Sequence, residues 1–94
     1  MNKKATVSLG NALDIAHAAN LKGRLETALH KQLPVVLVAS NIERADTAGL
    51  QLVYAFIEAV QHQGGSVTWQ KPTDVLIQAS EILGMSKALN LAYE

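Results

Sequence analysis

Three segments of the chain carry the apolar patterns of β-strands. Residues 5–9 alternate, with alanine, valine and leucine on one side and threonine and serine on the other, which is typical of a half-buried edge strand. Gly10-Asn11 is a turn signal, so residues 12–15 are predicted to form the second strand of a hairpin. Residues 35–39 are β-branched and apolar without alternation, which indicates a central strand covered on both faces, as in parallel sheets. Residues 66–70 alternate again and predict one more strand.

The segments between these strands repeat apolar residues every three or four positions, which predicts amphipathic helices. The first runs over residues 16–31, the second is stopped by Gly64-Gly65, and the third spans residues 72–84, with Gly84 as its C-terminal cap. Residues 86–91 add a last short helix or strand. The core-facing positions are predicted to be Ala18, Leu21, Leu25, Ala28 and Leu29 in the first helix, Leu50, Val53, Tyr54, Ile57 and Val60 in the second, and Val75, Leu76, Ala79 and Leu83 in the third.

The predicted order of elements is β-β-α-β-α-β-α. We therefore expect an α/β fold, a single domain over residues 1–94 with a mixed four- to five-stranded sheet and three to four helices. A length of 94 residues suits one domain.

Composition and charge narrow the functional classes. Eight basic and eight acidic residues give zero formal net charge without a basic stripe, which disfavours nucleic-acid binding. There is no cysteine, which excludes disulfides and thiol catalysis and suits a reducing cytoplasm. The longest apolar run, residues 35–39, is far shorter than the roughly 20 residues of a membrane span. We expect a cytoplasmic protein that does not insert into a membrane.

Catalytic, metal and cofactor sites are not predicted. His17, His30 and His62 show no metal-ligand spacing, so structural or solvated roles are favoured for them. No G-x-S-x-G elbow occurs, and the chain has no glycine-rich phosphate loop. Nucleotide binding is disfavoured because the glycine-rich loop is absent and because lysine and arginine are scarce near the candidate site. We expect no enzyme activity, no metal and no cofactor.

The segment 45–50, Ala-Asp-Thr-Ala-Gly-Leu, is the candidate site because it follows the central strand. Ligand sites of α/β folds usually lie at the carboxyl end of parallel strands. The simpler interpretation, which we favour on physical grounds alone, is that Asp46 or Thr47 is the N-cap of the second helix. The two interpretations are compatible, since an exposed helix start that carries a hydroxyl is also a good phosphate site.

These residues bring out a resemblance to a known family. Asp46-Thr47-Ala48-Gly49-Leu50 resembles the D-[ST]-[SAG]-G-L signature of STAS domains, which anti-sigma-factor antagonists and sulfate transporters share. Residues 13–18 resemble the family's L-D-x-x-x-A opening, and residues 64–67 its G-G-x-[VL] entry to the next strand. Residues 72–85 resemble its P-x-x-V…L-x-x-x-G-[LM] third helix. The similarity spans nearly the whole chain in the right order.

The resemblance implies a non-enzymatic regulatory module that binds a protein partner around the helix start. In antagonists of this family, a kinase phosphorylates a hydroxyl there. The usual acceptor position holds Ala48 in this chain, so Thr47 is the candidate phosphorylation site. The residues that the resemblance implies for partner binding are Asp14, Asp46, Thr47, Ala48, Gly49, Leu50 and Val53.

The partner stays open at the level of sequence. The leading expectation is an anti-sigma factor with Ser/Thr kinase activity, or a component of a chemotaxis or histidine-kinase pathway. The alternative is the STAS subunit of an Mla-type phospholipid-transport ABC complex, which docks on its ATPase. A bare structural role in a larger assembly also stays open.

Overall fold

A computed structural model describes residues 3–91, which form five strands and three helices. The strands are β1 (Ala5–Ser8), β2 (Ala12–Leu13), β3 (Val35–Val38), β4 (Arg44–Ala45) and β5 (Val67–Gln70), and the helices are α1 (Ile15–His30), α2 (Thr47–His62) and α3 (Asp74–Ile82). The α/β class and the three predicted helices are confirmed, and the observed order is β-β-α-β-β-α-β-α.

The main sheet has three parallel strands in the order β1-β3-β5. The central position of β3 and the edge position of β1 confirm both sequence predictions. Ala5 and Val7 in β1 lie beside Val35 and Leu37 in β3, and all four side chains are buried. The core cluster also contains apolar residues of α1 and α2, the two helices that pack against each other on this face of the sheet.

The second sheet shows that the predicted hairpin is wrong. β2 pairs in parallel with β4, and all strand pairs within residues 3–91 are parallel, so the expectation of a mixed sheet is also wrong. The backbone N–H of Leu9 still donates to Val38 in β3, and Gly10 then takes a positive φ of 72°. The glycine therefore redirects a chain that continues forward, instead of reversing it. β4 lies between β3 and α2, where the sequence predicts no strand.

The other face of the main sheet is less covered than the apolar run of residues 35–39 predicts. Leu37 is fully buried, whereas Val36 and Val38 are half-buried and the neighbouring Thr6 and Thr68 are exposed. The prediction that β3 is covered on both faces therefore holds for one face only. No helix within the described part of the chain is long and apolar enough to cross a membrane.

The third helix and the segment after it also differ from the prediction. Leu76 is fully buried, but Val75 and Leu83 are 43% and 41% exposed, so the prediction that both face the core is wrong. Ser80 is the buried residue one turn after Leu76. Residues 86–90 form turns, not a helix or strand, although Leu89 is fully buried.

Candidate functional site

The start of α2 is built by a side-chain cap. Asp46 has extended backbone angles, and its Oδ1 accepts a hydrogen bond of 3.0 Å from the backbone N–H of Gly49. Its backbone oxygen accepts a hydrogen bond of 3.0 Å from the N–H of Leu50. This confirms Asp46 as the N-cap and makes Thr47 the first helical residue, with its side chain exposed.

The start of α1 is built in the same way around Asp14. Its Oδ1 accepts a hydrogen bond from the backbone N–H of His17 at 3.1 Å and lies 2.6 Å from Nδ1 of the same histidine. Its Oδ2 accepts a hydrogen bond of 3.1 Å from the guanidinium of Arg44. One carboxylate thus ties the first turn of α1 to β4.

These contacts stabilise the charged form of the Asp14 carboxylate. The side-chain hydrogen bond with His17 is the main cause that lowers the pKa of Asp14 below its usual value, and partial burial acts against it. The backbone N–H of His17 and the charges of His17 and Arg44 add to the lowering. Asp14 therefore keeps its negative charge at neutral pH.

The two helix starts are joined through the short two-stranded sheet of β2 and β4. The backbone N–H of Asp46 donates to the carbonyl oxygen of Leu13 at 2.8 Å. A Cβ atom at Gly49 would lie only 2.2 Å from the same oxygen. Gly49 therefore lets α2 begin close to the short sheet of β2 and β4, because any side chain at this position would push α2 away from β2.

The groups around both helix starts form a surface, which we call the helix-start surface and define by Asp14, Ile15, Arg44, Asp46 and Thr47. Asp14 is half-buried and the other four residues are exposed. A depression of about 280 Å³ lies between Asp14, Ile15, Arg44 and Asp46. The Arg44 side chain is 75% exposed although its guanidinium contacts Asp14. Without His17, the three formal charges of this surface sum to about −1 at neutral pH.

Ile15 is the residue that the sequence prediction missed. It is 77% exposed at the first position of α1, whereas residues 12–15 were predicted to be a strand. The position of Ile15 around the helix axis would have predicted its exposure. Ile15 precedes the buried Leu21 by six positions and so lies roughly 120° round the helix from the core-facing side. The exposed Ile15 side chain offers apolar area that a partner would remove from water on binding.

The remaining predicted partner-binding residues differ in how far they are buried. Ala48 is half-buried and Gly49 is buried, while Leu50 and Val53 are fully buried against the core. Leu50 and Val53 therefore fix the position of α2 and leave no side-chain surface for direct contact with a partner. Partner binding by the exposed residues Asp46 and Thr47 stays a prediction.

The helix-start surface presents a hydroxyl and charged side chains at the capped start of a helix. Within residues 3–91, no three histidine or carboxylate side chains come together in a way that could hold a metal ion. The Thr47 hydroxyl is exposed at the positive end of the α2 dipole, where a negative group is stabilised by typically 0.3–1 kcal/mol. Such a position suits either a contact with a partner or the attachment of a phosphate.

Comparison with known proteins places this arrangement among characterised folds. A family model described as "Mlab, STAS domain" matches residues 2–92. The search among curated protein sequences found no match. The structure resembles that of the anti-sigma factor antagonist SpoIIAA in its unphosphorylated form, with a TM-score of 0.73 and 13% identity over 93% of this chain and 77% of that chain. It also resembles the protein TM1081, with a TM-score of 0.75 and 17% identity over 92% of this chain and 70% of that chain.

Proposed function

We propose that this chain, which belongs to the STAS domain family, is a non-enzymatic regulatory module that binds a signalling protein through its helix-start surface. The proposed partner is an anti-sigma factor with kinase activity, or a component of a chemotaxis or histidine-kinase pathway, in the cytoplasm. The observation that carries the proposal is the exposed Thr47 hydroxyl at the capped start of α2, within the D-T-A-G-L segment. The fold likeness to SpoIIAA supports the regulatory type.

Phosphorylation of Thr47 is the proposed switch. A phosphate carries about −1.5 to −2 charges at neutral pH, so it would take the charge of the helix-start surface from about −1 to between about −2.5 and −3. The α2 dipole stabilises that charge on the isolated domain. A partner surface that fits the unmodified threonine instead meets repulsion and a desolvation cost. A change of about 2.8 kcal/mol in the binding free energy lowers affinity about 100-fold.

The test is partner capture by the tagged full chain from its native cell, followed by mass spectrometry of both the captured proteins and the Thr47 peptide. We expect Thr47→Ala to retain the partner and Thr47→Glu to lose it. Gln61→Glu is the matched control, because it adds the same charge to an exposed residue near the other end of the same helix. Capture that is identical for Thr47→Ala and Thr47→Glu would exclude this site.

Ile15 supplies a second readout that is independent of charge. Because 77% of its surface is exposed beside the depression, Ile15→Ala removes apolar contact area while leaving the core unchanged. We expect weaker partner capture and an unchanged unfolding midpoint. Ile82→Ala is the matched control, since Ile82 is 83% exposed on α3 and does not belong to the helix-start surface.

A second candidate function is that of the STAS subunit of an Mla-type phospholipid-transport ABC complex. The description of the matching family model favours it. In that case the domain docks constitutively on an ATPase through the same surface, and Thr47 acts as a contact residue. This candidate predicts co-purification with the ATPase without phosphate on Thr47, and loss of ATPase activity when the domain is removed. Purification of the free domain as the sole cellular species would exclude it.

A further inference from the structure

The outer edge of β1 is a second feature that the proposed function does not use. β1 pairs only with β3 among residues 3–91. The backbone N–H groups of Ala5 and Leu9 donate to Pro34 and Val38, so the odd-numbered residues of β1 direct their backbone groups toward β3. The backbone groups of Thr6 and Ser8 therefore point the other way, toward the outer edge.

A side chain of α1 already occupies one end of this edge. The guanidinium of Arg24 donates a hydrogen bond to the carbonyl oxygen of Ser8, and its Nε donates to Asn20 at 3.1 Å. The N–H and C=O of Thr6 and the N–H of Ser8 are left for an added strand. In an antiparallel pair, one incoming residue would form both hydrogen bonds with Thr6.

A groove with positive charge runs along the same edge. It has a volume of about 130 Å³ and lies between β1 and α1, with Arg24, Thr27 and Lys31 on the helix side. None of the residues that line it is acidic, and the exposed Lys4 precedes the strand. Two copies of this edge would bring their cationic groups together, which is how natural edge strands resist self-association.

From this geometry we propose that the outer edge of β1 binds an extended acidic segment of a partner protein as a fourth strand of the main sheet. The incoming residue opposite Thr6 shares the open face of the sheet with Thr6. Its two neighbours point to the other face, where Arg24 and Lys31 lie. The recognised pattern is therefore a β-branched residue between two acidic residues. This site does not involve the helix-start surface.

The probe is a fluorescein-labelled peptide of alternating valine and glutamate, compared with the same peptide carrying lysine in place of glutamate. We expect fluorescence anisotropy to show saturable binding of the acidic peptide with a Kd below about 1 mM. The basic peptide should not bind. In the isotope-labelled full chain, the amides of Thr6 and Ser8 should exchange with deuterium at least about 10-fold more slowly when the peptide is bound. The amides of Val67 and Trp69, on the outer edge of β5, should not change.

Two variants separate backbone pairing from charge. Thr6→Pro removes an N–H that β3 does not use, so the domain should still fold while binding of the acidic peptide falls at least about 10-fold. Thr6→Val keeps the N–H, so both folding and peptide binding should be retained. Lys31→Glu should weaken binding of the acidic peptide, because it replaces one of the cationic groups of the groove by an anionic one. Thr47→Glu should leave that binding unchanged. Lys31→Glu keeps the charge test available if Thr6→Pro does not fold.

Three outcomes overturn the proposal. The first is no binding at about 1 mM acidic peptide. The second is protection at Val67 and Trp69 instead of Thr6 and Ser8. The third is a dimer of the free chain in sedimentation that Thr6→Pro dissociates, which would assign the edge to a second copy.

Discussion

Replacing Gly49 with alanine should push α2 away from β2. The added Cβ would lie 2.2 Å from the carbonyl oxygen and 2.3 Å from the carbonyl carbon of Leu13. Both are backbone atoms, so no side-chain rotation relieves the contact, and the helix must shift by roughly 1 Å to reach normal van der Waals distance. The Leu13 oxygen also accepts the N–H of Asp46, so the shift weakens that hydrogen bond as well.

The expected cost follows from three contributions. Forced opening of a packed site costs about 1–3 kcal/mol. Weakening the hydrogen bond between Asp46 and Leu13 costs about 1 kcal/mol more. The better helix propensity of alanine returns up to about 1 kcal/mol. The net destabilisation is therefore about 2 kcal/mol, which corresponds to a fall in Tm of roughly 8–16 °C for a domain of this size.

Gly23 provides the matched control within α1. A Cβ at Gly23 would meet no atom within 4 Å beyond its chain neighbours and the backbone of its own helix, so Gly23→Ala adds helix propensity without a clash. It should stabilise the domain by about 0.5–1 kcal/mol. The assay is urea unfolding followed by far-UV circular dichroism, with thermal melts in parallel. If Gly49→Ala shifts the midpoint in the same direction as Gly23→Ala, the close approach of α2 to β2 is not what requires glycine at position 49.

Two further predictions concern the carboxylates that cap the helices. Asp46→Ala should cost about 1 kcal/mol of unfolding free energy and Asp46→Asn much less, because asparagine also caps a helix, and equal losses in urea unfolding would contradict the capping role. Asp14→Asn should destabilise the domain at pH 5 and progressively less toward pH 3. The folded-state pKa of Asp14 is lowered, so its contribution is present above the ordinary aspartate pKa of about 4 and is lost as the pH falls through the folded value. A difference between the two proteins that is the same at pH 3 and pH 5 would contradict this linkage.

Local patterns in the sequence predict the helices and the strands of the main sheet well. The periodicity of Leu21 and Leu25 and the apolar run at residues 35–38 are each set by neighbours a few positions away. The cap at Asp46 is equally local, because its donor lies three residues on. These features need no knowledge of which elements meet in space.

The short sheet could not be predicted in the same way. β2 and β4 have two residues each, too few to show a period, and they meet only because β1 and β3 already run side by side. Gly10-Asn11 matches a hairpin turn in sequence, but the chain continues forward because β2 finds its hydrogen-bond partners on β4. The exposure of Ile15 and its place beside Arg44 follow from this pairing, so that part of the site was missed too.

The parallel pairing of every strand in residues 3–91 also bears on how the chain reaches its native state. Ala5 meets Val35, and Val35 meets Val67, so each pair of the main sheet must wait for a loop of about 30 residues that contains a helix to close. Residues 3–91 contain no hairpin that could serve as an early local nucleus, and α1 and α2 are the longest structures that can form from local contacts. Until β1 and β5 arrive, the apolar segment of β3 lacks both neighbours and is open to pairing with other chains. We therefore expect the contact between α1 and α2 to form before the main sheet and to limit the time for which β3 is exposed to other chains.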